Sequence, residues 1–112
     1  MHAEHAPSWV AVAKSGLTHD ASGGIADGGL SLRRLHGDNR GIRGCFERID
    51  NADLVYVVNP SGYVGKSVSV DIGYAYARGK PIYASHTIDD PPVMSLLAGA
   101  LTYEKLVELL KQ

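Results

Sequence analysis

The fold is decided by residues 53–84, which read DLVYVVNPSGYVGKSVSVDIGYAYARGKPIYA. The uninterrupted β-rich apolar run from Leu54 to Val58 is typical of a strand covered on both faces, so we expect this strand to be central. A glycine-bearing loop follows, then a helix over residues 67–78, and then a strand from Ile82 to Ala84. The stretch therefore predicts a complete β-α-β unit. Ligands bind where such strands end and the following helices begin.

The helix at residues 67–78 starts with polar residues. Ser67 or Ser69 can cap its first turn, and Gly79 is placed to end it. Asp71 falls in the predicted first turn, where the helix macrodipole favours a carboxylate. Apolar residues go almost all the way round the helix, so we expect it to be buried on more than one side.

The flanking sequence adds further elements on both sides of this unit. Residues 14–38 are rich in glycine, and we expect a long loop there in which only residues 30–35 could be regular. Hydrophobic spacing predicts the rest: a strand within residues 8–13, a helix over 42–51, a short helix over 93–98 and a last helix from Thr102.

The sequence predicts three parallel strands, whereas sheets of this class often have about five. Either a strand is hidden within residues 14–38, or a partner subunit completes the core. The surplus apolar face of the helix at 67–78 favours self-association into a homodimer or a larger homo-oligomer. We expect residues 1–112 to form a single α/β domain.

Composition excludes several function classes. The chain has 112 residues, a net charge of −1 and one cysteine, Cys45. A nucleic acid is not expected as a partner, because no stripe of Lys and Arg is present to meet phosphates. We expect no membrane span, since the longest apolar run is far too short, and a cytoplasmic location. No metal site and no cofactor are expected, and Cys45 is interpreted as a buried structural thiol.

A phosphate-binding P-loop is one interpretation of Gly65, Lys66 and Ser67, which follow a strand and open a helix. The pattern requires a glycine five residues before Gly65, and that position is Pro60, which has no backbone N–H. Lys66 is then a solvated loop lysine.

A second interpretation rests on four blocks of sequence. They are residues 51–60 (NADLVYVVNP), 62–65 (GYVG), 71–75 (DIGYA) and 79–81 (GKP). In residue identity and in spacing these blocks resemble the nucleoside 2-deoxyribosyltransferase-like family. The resemblance implies a three-layer Rossmann/flavodoxin-like sandwich with a parallel sheet, here lacking the first β-α unit of the family.

The resemblance also implies the site residues. Asp71 matches the carboxylate nucleophile of the family, which is usually a glutamate, and Asp53 matches an aspartate used near the base. The missing methylene withdraws the carboxylate of Asp71 by about 1.5 Å. The expected substrate-binding residues are Asn59, Gly62, Tyr63, Gly65, Ser67 and Ser69.

Two hypotheses follow for function. The first is an enzyme of nucleoside or nucleotide N-glycosidic bonds, a deoxyribosyl transferase or hydrolase, because a carboxylate under the sugar stabilises an oxocarbenium-like transition state. The second is a catalytically degenerate module of the same fold that binds or senses a nucleotide. In both, the partner is a small-molecule nucleoside or nucleotide. Asp53 stands at the wrong end of its strand for direct contact, and His86 is interpreted as a loop residue.

Overall fold

The computed structural model describes residues 7–14, 31–35 and 41–110, with no side-chain description for residues 31, 32 and 110. Within these ranges a five-stranded sheet has the order β2-β1-β3-β4-β5. Its strands are β1 (Trp9–Lys14), β2 (Ser31–Arg34), β3 (Leu54–Val58), β4 (Ile82–Ala84) and β5 (Gly99–Ala100). The apolar run at Leu54–Val58 is the middle strand, as its composition predicts.

The sheet is mixed. β3, β4 and β5 run parallel, whereas β1 pairs antiparallel with both β3 and β2. The expectation of a parallel sheet was therefore wrong for β1, and the α/β class is confirmed. Because β1 is reversed, its first residue, Trp9, lies opposite Val58 at the end of β3.

The β-α-β unit has nearly the predicted bounds. The helices are α1 (Gly41–Asn51), α2 (Lys66–Ala77), α3 (Pro91–Met94) and α4 (Tyr103–Leu110). Gly79 has φ +76° and follows the end of α2, as expected of a glycine that ends a helix. The short helix expected over residues 93–98 is instead α3, which begins at Pro91, a residue type favoured in a first helical turn.

The first face of the sheet carries the main core. Val10, Val55, Val57 and Ile82 point to this face and pack with side chains of α1 and α2, including Ile49 and Ile72 at the centre. Val68, Asp71, Ile72 and Ala75 are the buried residues of α2 and form a single stripe at helical spacing. Val70 and Tyr76 of α2 are 46% and 57% exposed, so one side of this helix is open in the monomer.

The second face carries a smaller core. Leu106 of α4 is fully buried and packs with Ala13, Leu54 and Tyr56. Since α4 has eight residues and its buried contacts are with Ala13, Leu54 and Tyr56, it covers the half of this face nearest the start of β3. The half nearest the end of β3 is left for a pocket.

A polar clamp joins α1 to α2. The carboxylate of Asp50 accepts hydrogen bonds from the Tyr74 hydroxyl and from Nε of Arg78, and the Lys80 ammonium donates to the Asp50 carbonyl oxygen at 3.0 Å. Phe46 of α1 stacks on Tyr74 of α2 with ring centroids 4.0 Å apart. The clamp fixes the two helices that cover the first face.

The hidden strand that the glycine-rich stretch could contain is present as β2, so no second subunit is needed to supply it. Residues 15–30 and 36–40 lie outside the described residues. Cys45 is buried as predicted, and its thiol contacts the Leu35 carbonyl oxygen at 3.7 Å. In the described part of the chain, no helix has the length and apolar character that a membrane crossing requires.

Candidate functional site

A pocket opens at the carboxyl ends of β3, β4 and β5, on the second face of the sheet. It encloses about 510 Å³, which is within the range of small-molecule sites. We call it the aromatic pocket. It is lined by Trp9, Ala11, Arg34, Tyr56, Val58, Pro60, Ser85, His86, Thr102 and Tyr103.

Strand pairing builds the floor of the aromatic pocket. Arg34 lies opposite Ala11, and Ala11 lies opposite Tyr56, so these three side chains form a row on one face of the sheet. Trp9 and Val58 form the next row towards the strand ends. The floor is therefore set by backbone register rather than by a loop.

Arg34 and Trp9, from adjacent rows of the floor, contact each other. The guanidinium carbon of Arg34 lies 4.9 Å from the centroid of the Trp9 ring, within the range of a cation–π contact. The contact holds a flat aromatic surface and a permanent positive charge side by side at the pocket.

Tyr56 anchors the opposite side of the floor. Its hydroxyl donates to the Leu101 carbonyl oxygen at 2.8 Å, which ties β3 to the segment that leads into α4. Burial, and to a lesser extent the nearby Glu104 carboxylate, raise the pKa of Tyr56 above its ordinary value of 10.0. Tyr56 is therefore a neutral phenol at physiological pH.

A hydrogen-bonded cluster follows the ends of β3 and β4. Asn59 is fully buried, and its side chain clasps the backbone of His86: Nδ2 donates to the His86 carbonyl oxygen at 2.9 Å, and Oδ1 accepts the His86 N–H at 3.1 Å. Oγ of Ser85 accepts the Asn59 backbone N–H at 3.0 Å and lies 2.9 Å from Nδ1 of His86. Asn59 is thus a positioning residue for two pocket residues.

Asp71 does not lie in this pocket. It is 1% exposed and belongs to the core-facing stripe of α2, which packs on the first face of the sheet, so the sheet separates it from the aromatic pocket. It is engaged in an interaction within the chain. The expectation that Asp71 occupies the first turn was wrong, because α2 already begins at Lys66 and has no acidic residue in its first turn.

Asp53 is also remote. It is exposed and stands just before β3, with its N–H donating to the Ala13 carbonyl oxygen at 2.8 Å. At about 3.3 Å per strand residue, β3 carries the chain roughly 17 Å from Asp53 to the pocket end. The structure therefore does not bring Asp53 and Asp71 together at one crevice.

Gly62, in the loop between β3 and α2, has a backbone conformation that favours glycine. It has φ +84°, and a Cβ there would lie 2.5 Å from Oδ1 of Asp89. Its N–H donates to the Asn59 carbonyl oxygen, and its own carbonyl oxygen accepts the Asp89 N–H at 2.9 Å. Gly62 thus joins the loops after β3 and β4, and Tyr63 beside it is 42% exposed.

Neither serine caps α2. Gly65 is the cap residue of the helix, and its N–H donates to Oγ of Ser8 at 3.3 Å. Oγ of Ser69 donates back to the Gly65 carbonyl oxygen at 2.9 Å, whereas Ser67 is exposed. The capping interpretation fails because the helix starts earlier than the serine positions imply.

Sequence reasoning missed most of the pocket. Trp9, Arg34 and Tyr103 come from three distant segments, and no local motif connects them. Ser85 and His86 carried a usable signal, because they follow directly on the predicted strand at Ile82–Ala84, where ligand-binding residues of α/β sheets are found.

No group of three or more His, Cys, Asp or Glu side chains that could hold a metal ion occurs among residues 7–14, 31–35 and 41–110. Comparison of the chain with protein-family models, with curated proteins and with solved structures gives no match.

Proposed function

We propose that this protein binds a nucleoside or nucleotide in the aromatic pocket, as a recognition module with the fold of the nucleoside 2-deoxyribosyltransferase-like family. The observation that carries the proposal is the position of the pocket at the carboxyl ends of three parallel strands. In open α/β sheets this is where ligands bind. Of the ten residues that line the pocket, only Tyr56, Val58 and Pro60 lie in the sequence blocks that resemble the family.

The chemistry of the lining supports a planar heterocycle. Trp9, Tyr56 and Tyr103 all line the pocket, and stacking of a nucleobase on an aromatic side chain contributes about 1–3 kcal/mol per base. Arg34 and His86 add polar groups to the lining. A mostly apolar cavity with a few convergent polar groups is the usual form of a small-molecule site.

The sheet supports the family assignment in part. The strand order β2-β1-β3-β4-β5 is the order of flavodoxin-like sheets, and helices pack on both faces. Reversal of β1 is the main departure. We propose that the fold is a variant of the three-layer Rossmann/flavodoxin-like sandwich in which the reversed β1 replaces a parallel strand.

N-glycosidic catalysis is the second candidate, and it rests on the match of Asp71 to the nucleophile of the family. Asp71 is the buried carboxylate of the described residues, and a carboxylate buried to this extent is nearly always paired, as Asp71 is within the chain. In the reaction, an oxygen of Asp71 forms a bond to the anomeric carbon while the bond from that carbon to the base nitrogen breaks, and the base takes up a proton from water. Water or a second base then bonds to the anomeric carbon, the bond to Asp71 breaks, and the proton of the attacking group passes to water. The chain would have to open at α2 to admit the sugar.

One experiment separates the two candidates. The protein is incubated with the four deoxynucleosides and their 5′-monophosphates; binding is measured by calorimetry and free base by chromatography. Saturable binding without base release supports the recognition module, and it is expected to weaken about tenfold or more in Trp9→Ala, the loss of one stacking partner. Base release that persists in Asp53→Asn and disappears in Asp71→Asn supports the enzyme. Absence of both binding and release refutes both candidates.

A further inference from the structure

Arg34 supplies the permanent positive charge of the aromatic pocket. A guanidinium is charged at every physiological pH, and none of the residues that line the pocket is an aspartate or a glutamate. Glu104, whose carboxylate acts on Tyr56, is exposed and lies outside the lining. A ligand in the pocket therefore meets a positive charge that no carboxylate of the lining offsets.

The backbone that carries Arg34 is held in place by α1. Nη1 of Arg48 donates to the Leu35 carbonyl oxygen at 2.9 Å and to the Arg34 carbonyl oxygen at 3.4 Å. The Leu35 N–H donates to the Val10 carbonyl oxygen at 2.7 Å, and the Leu35 side chain is fully buried. Because β2 is the outermost strand of the sheet that the structure describes, these contacts fix an edge that has only one neighbouring strand.

The guanidinium of Arg34 is positioned by an aromatic ring and not by an acid. Its central carbon lies 4.9 Å from the centroid of the Trp9 ring. Within residues 7–14, 31–35 and 41–110 it forms no ion pair and no hydrogen bond, whereas Nε of Arg78 donates to the Asp50 carboxylate at 2.8 Å. A guanidinium has five N–H donors in a planar fork that matches the oxygens of a phosphate. Arg34 can therefore offer these donors to an anion in the pocket.

The floor of the pocket separates this charge from Tyr56. Arg34 lies opposite Ala11, and Ala11 lies opposite Tyr56. With neighbouring strands about 4.8 Å apart, the backbones of Arg34 and Tyr56 are roughly 10 Å apart. A ligand that engages both residues must carry its anionic group away from its planar ring, as a nucleotide does.

We propose that Arg34 is the specificity-determining residue of the aromatic pocket and makes it select nucleoside 5′-monophosphates over nucleosides. This inference rests on the proposed nucleoside or nucleotide binding and specifies it. The base lies against the aromatic side chains, and the phosphate accepts paired hydrogen bonds from the guanidinium. A nucleoside lacks the phosphate and leaves the guanidinium to water.

The test compares each of the four deoxynucleosides with its 5′-monophosphate by calorimetry. We expect the monophosphate to bind about tenfold tighter or more, the effect of hydrogen bonds to a charged group. Arg34→Gln removes the charge and the fork, and it is expected to bring the affinities of each pair within about twofold of each other. The affinity for the nucleoside itself should stay close to that of the wild type.

Arg33→Gln is the matched control, because it removes the same charge from the neighbouring position of β2. Arg33 is exposed and lies opposite Val12, whose side chain belongs to the main core on the first face of the sheet. Its side chain is therefore on the other face from the aromatic pocket. We expect this variant to keep the preference for the monophosphate.

Two further measurements use the wild type alone. Inorganic phosphate is expected to bind at least tenfold more weakly than the preferred monophosphate, because it lacks the stacking base. In NMR spectra, the Nε–H resonance of Arg34 is expected to shift on addition of the monophosphate and not on addition of the nucleoside. The NMR result decides the inference if Arg34→Gln does not fold.

The outcomes are distinct. Equal affinity of the wild type for nucleosides and monophosphates overturns this inference and leaves the proposed binding function standing. A preference that survives in Arg34→Gln, or that falls equally in Arg33→Gln, also overturns it, as does an unchanged Arg34 resonance. Inorganic phosphate that binds as tightly as the monophosphate would show a site for the free anion and overturn it too. Absence of binding of every nucleoside and monophosphate overturns the inference together with the proposed function.

Discussion

The hydroxyl of Tyr74 lies 2.9 Å from both carboxylate oxygens of Asp50. The two residues belong to different helices, so this bond, with the Phe46 stack beside it, sets how α1 lies against α2. Those helices cover the first face of the sheet and hold Asp71 within it.

The Tyr74–Asp50 hydrogen bond makes the folding stability of the protein decrease as the pH rises in the alkaline range. The hydrogen bond to Asp50, followed by burial and the negative charge of Asp50, raises the pKa of Tyr74 above 10.0. The stabilisation from this bond is therefore fully present below about pH 10 and is lost as the pH rises through the folded-state pKa. We expect the thermal midpoint of the wild type to fall more steeply above pH 10 than that of Tyr74→Phe.

Phenolate absorbance gives a direct check on the same bond. The titration of Tyr74 is taken as the difference between the wild type and Tyr74→Phe, measured again in an Asp50→Asn background. We expect Tyr74 to ionise at a lower pH in that background, since the principal cause of the raised pKa is removed. An unchanged titration would show that Asp50 is not that cause.

Two glycine substitutions are expected to have opposite effects. Gly62→Ala places a Cβ 2.5 Å from Oδ1 of Asp89 at a φ of +84°, and the left-handed backbone alone costs about 1–2 kcal/mol. Gly73→Ala fills open space within α2, where alanine is favoured by about 1 kcal/mol. Urea unfolding measures both, and destabilisation by Gly73→Ala of the same size as that by Gly62→Ala would contradict the loop geometry.

The main core predicts a contrast between two isoleucines. Ile72→Ala removes a fully buried side chain of α2 and is expected to cost about 2–5 kcal/mol. Ile42→Ala makes the same change on α1 at a side chain that is 52% exposed, where effects within about 0.5 kcal/mol are usual. Equal losses of unfolding free energy in the two variants would contradict the packing of Ile72 between α2 and the sheet.

Self-association remains a prediction. We expect the contact between subunits to lie on the open side of α2. Val70 is 46% exposed on this helix, so a second copy of the chain could cover it. We expect sedimentation to give at least twice the chain mass of 11.9 kDa, and Val70→Lys to reduce it to that mass. Ile42→Lys, a charge introduced at an exposed position of α1, serves as the control and should leave the mass unchanged; a monomeric wild type would rule the prediction out.

The sequence predicted the elements that can be identified from their own hydrophobic pattern. Leu54–Val58 is apolar on both faces, and Ile42, Phe46 and Ile49 recur at helical spacing, so β3 and α1 were found with nearly correct bounds. Ile42 itself is 52% exposed, and the buried side of α1 is formed by Cys45 and Ile49. The two-residue strand Gly99–Ala100 carries no β-branched or aromatic signal, and it was missed. The direction of β1 was also missed, since hydrophobicity alone does not encode whether a strand runs parallel or antiparallel.

Residues of the candidate site could be predicted only where they follow directly on an element that the sequence identifies. Ser85 and His86 follow a recognisable strand, whereas Trp9 and Arg34 meet through the pairing of β1 with β2, which depends on register across distant residues. Asp71 was misplaced because it belongs to the buried stripe of α2, which packs on the first face of the sheet, whereas the aromatic pocket lies on the second face. Nothing in the local sequence states on which face of the sheet α2 packs.

The reversed direction of β1 has a practical consequence for preparing the protein. Because β1 enters the sheet beside the end of β3, the amino-terminal side of the described chain begins at Pro7, close to Trp9 of the aromatic pocket. α4 runs the other way, from Tyr103 at the pocket towards Leu110, so an affinity tag attached after the last helix leaves the mouth of the pocket clear. Ligand-binding measurements should use carboxyl-terminal tags or untagged protein.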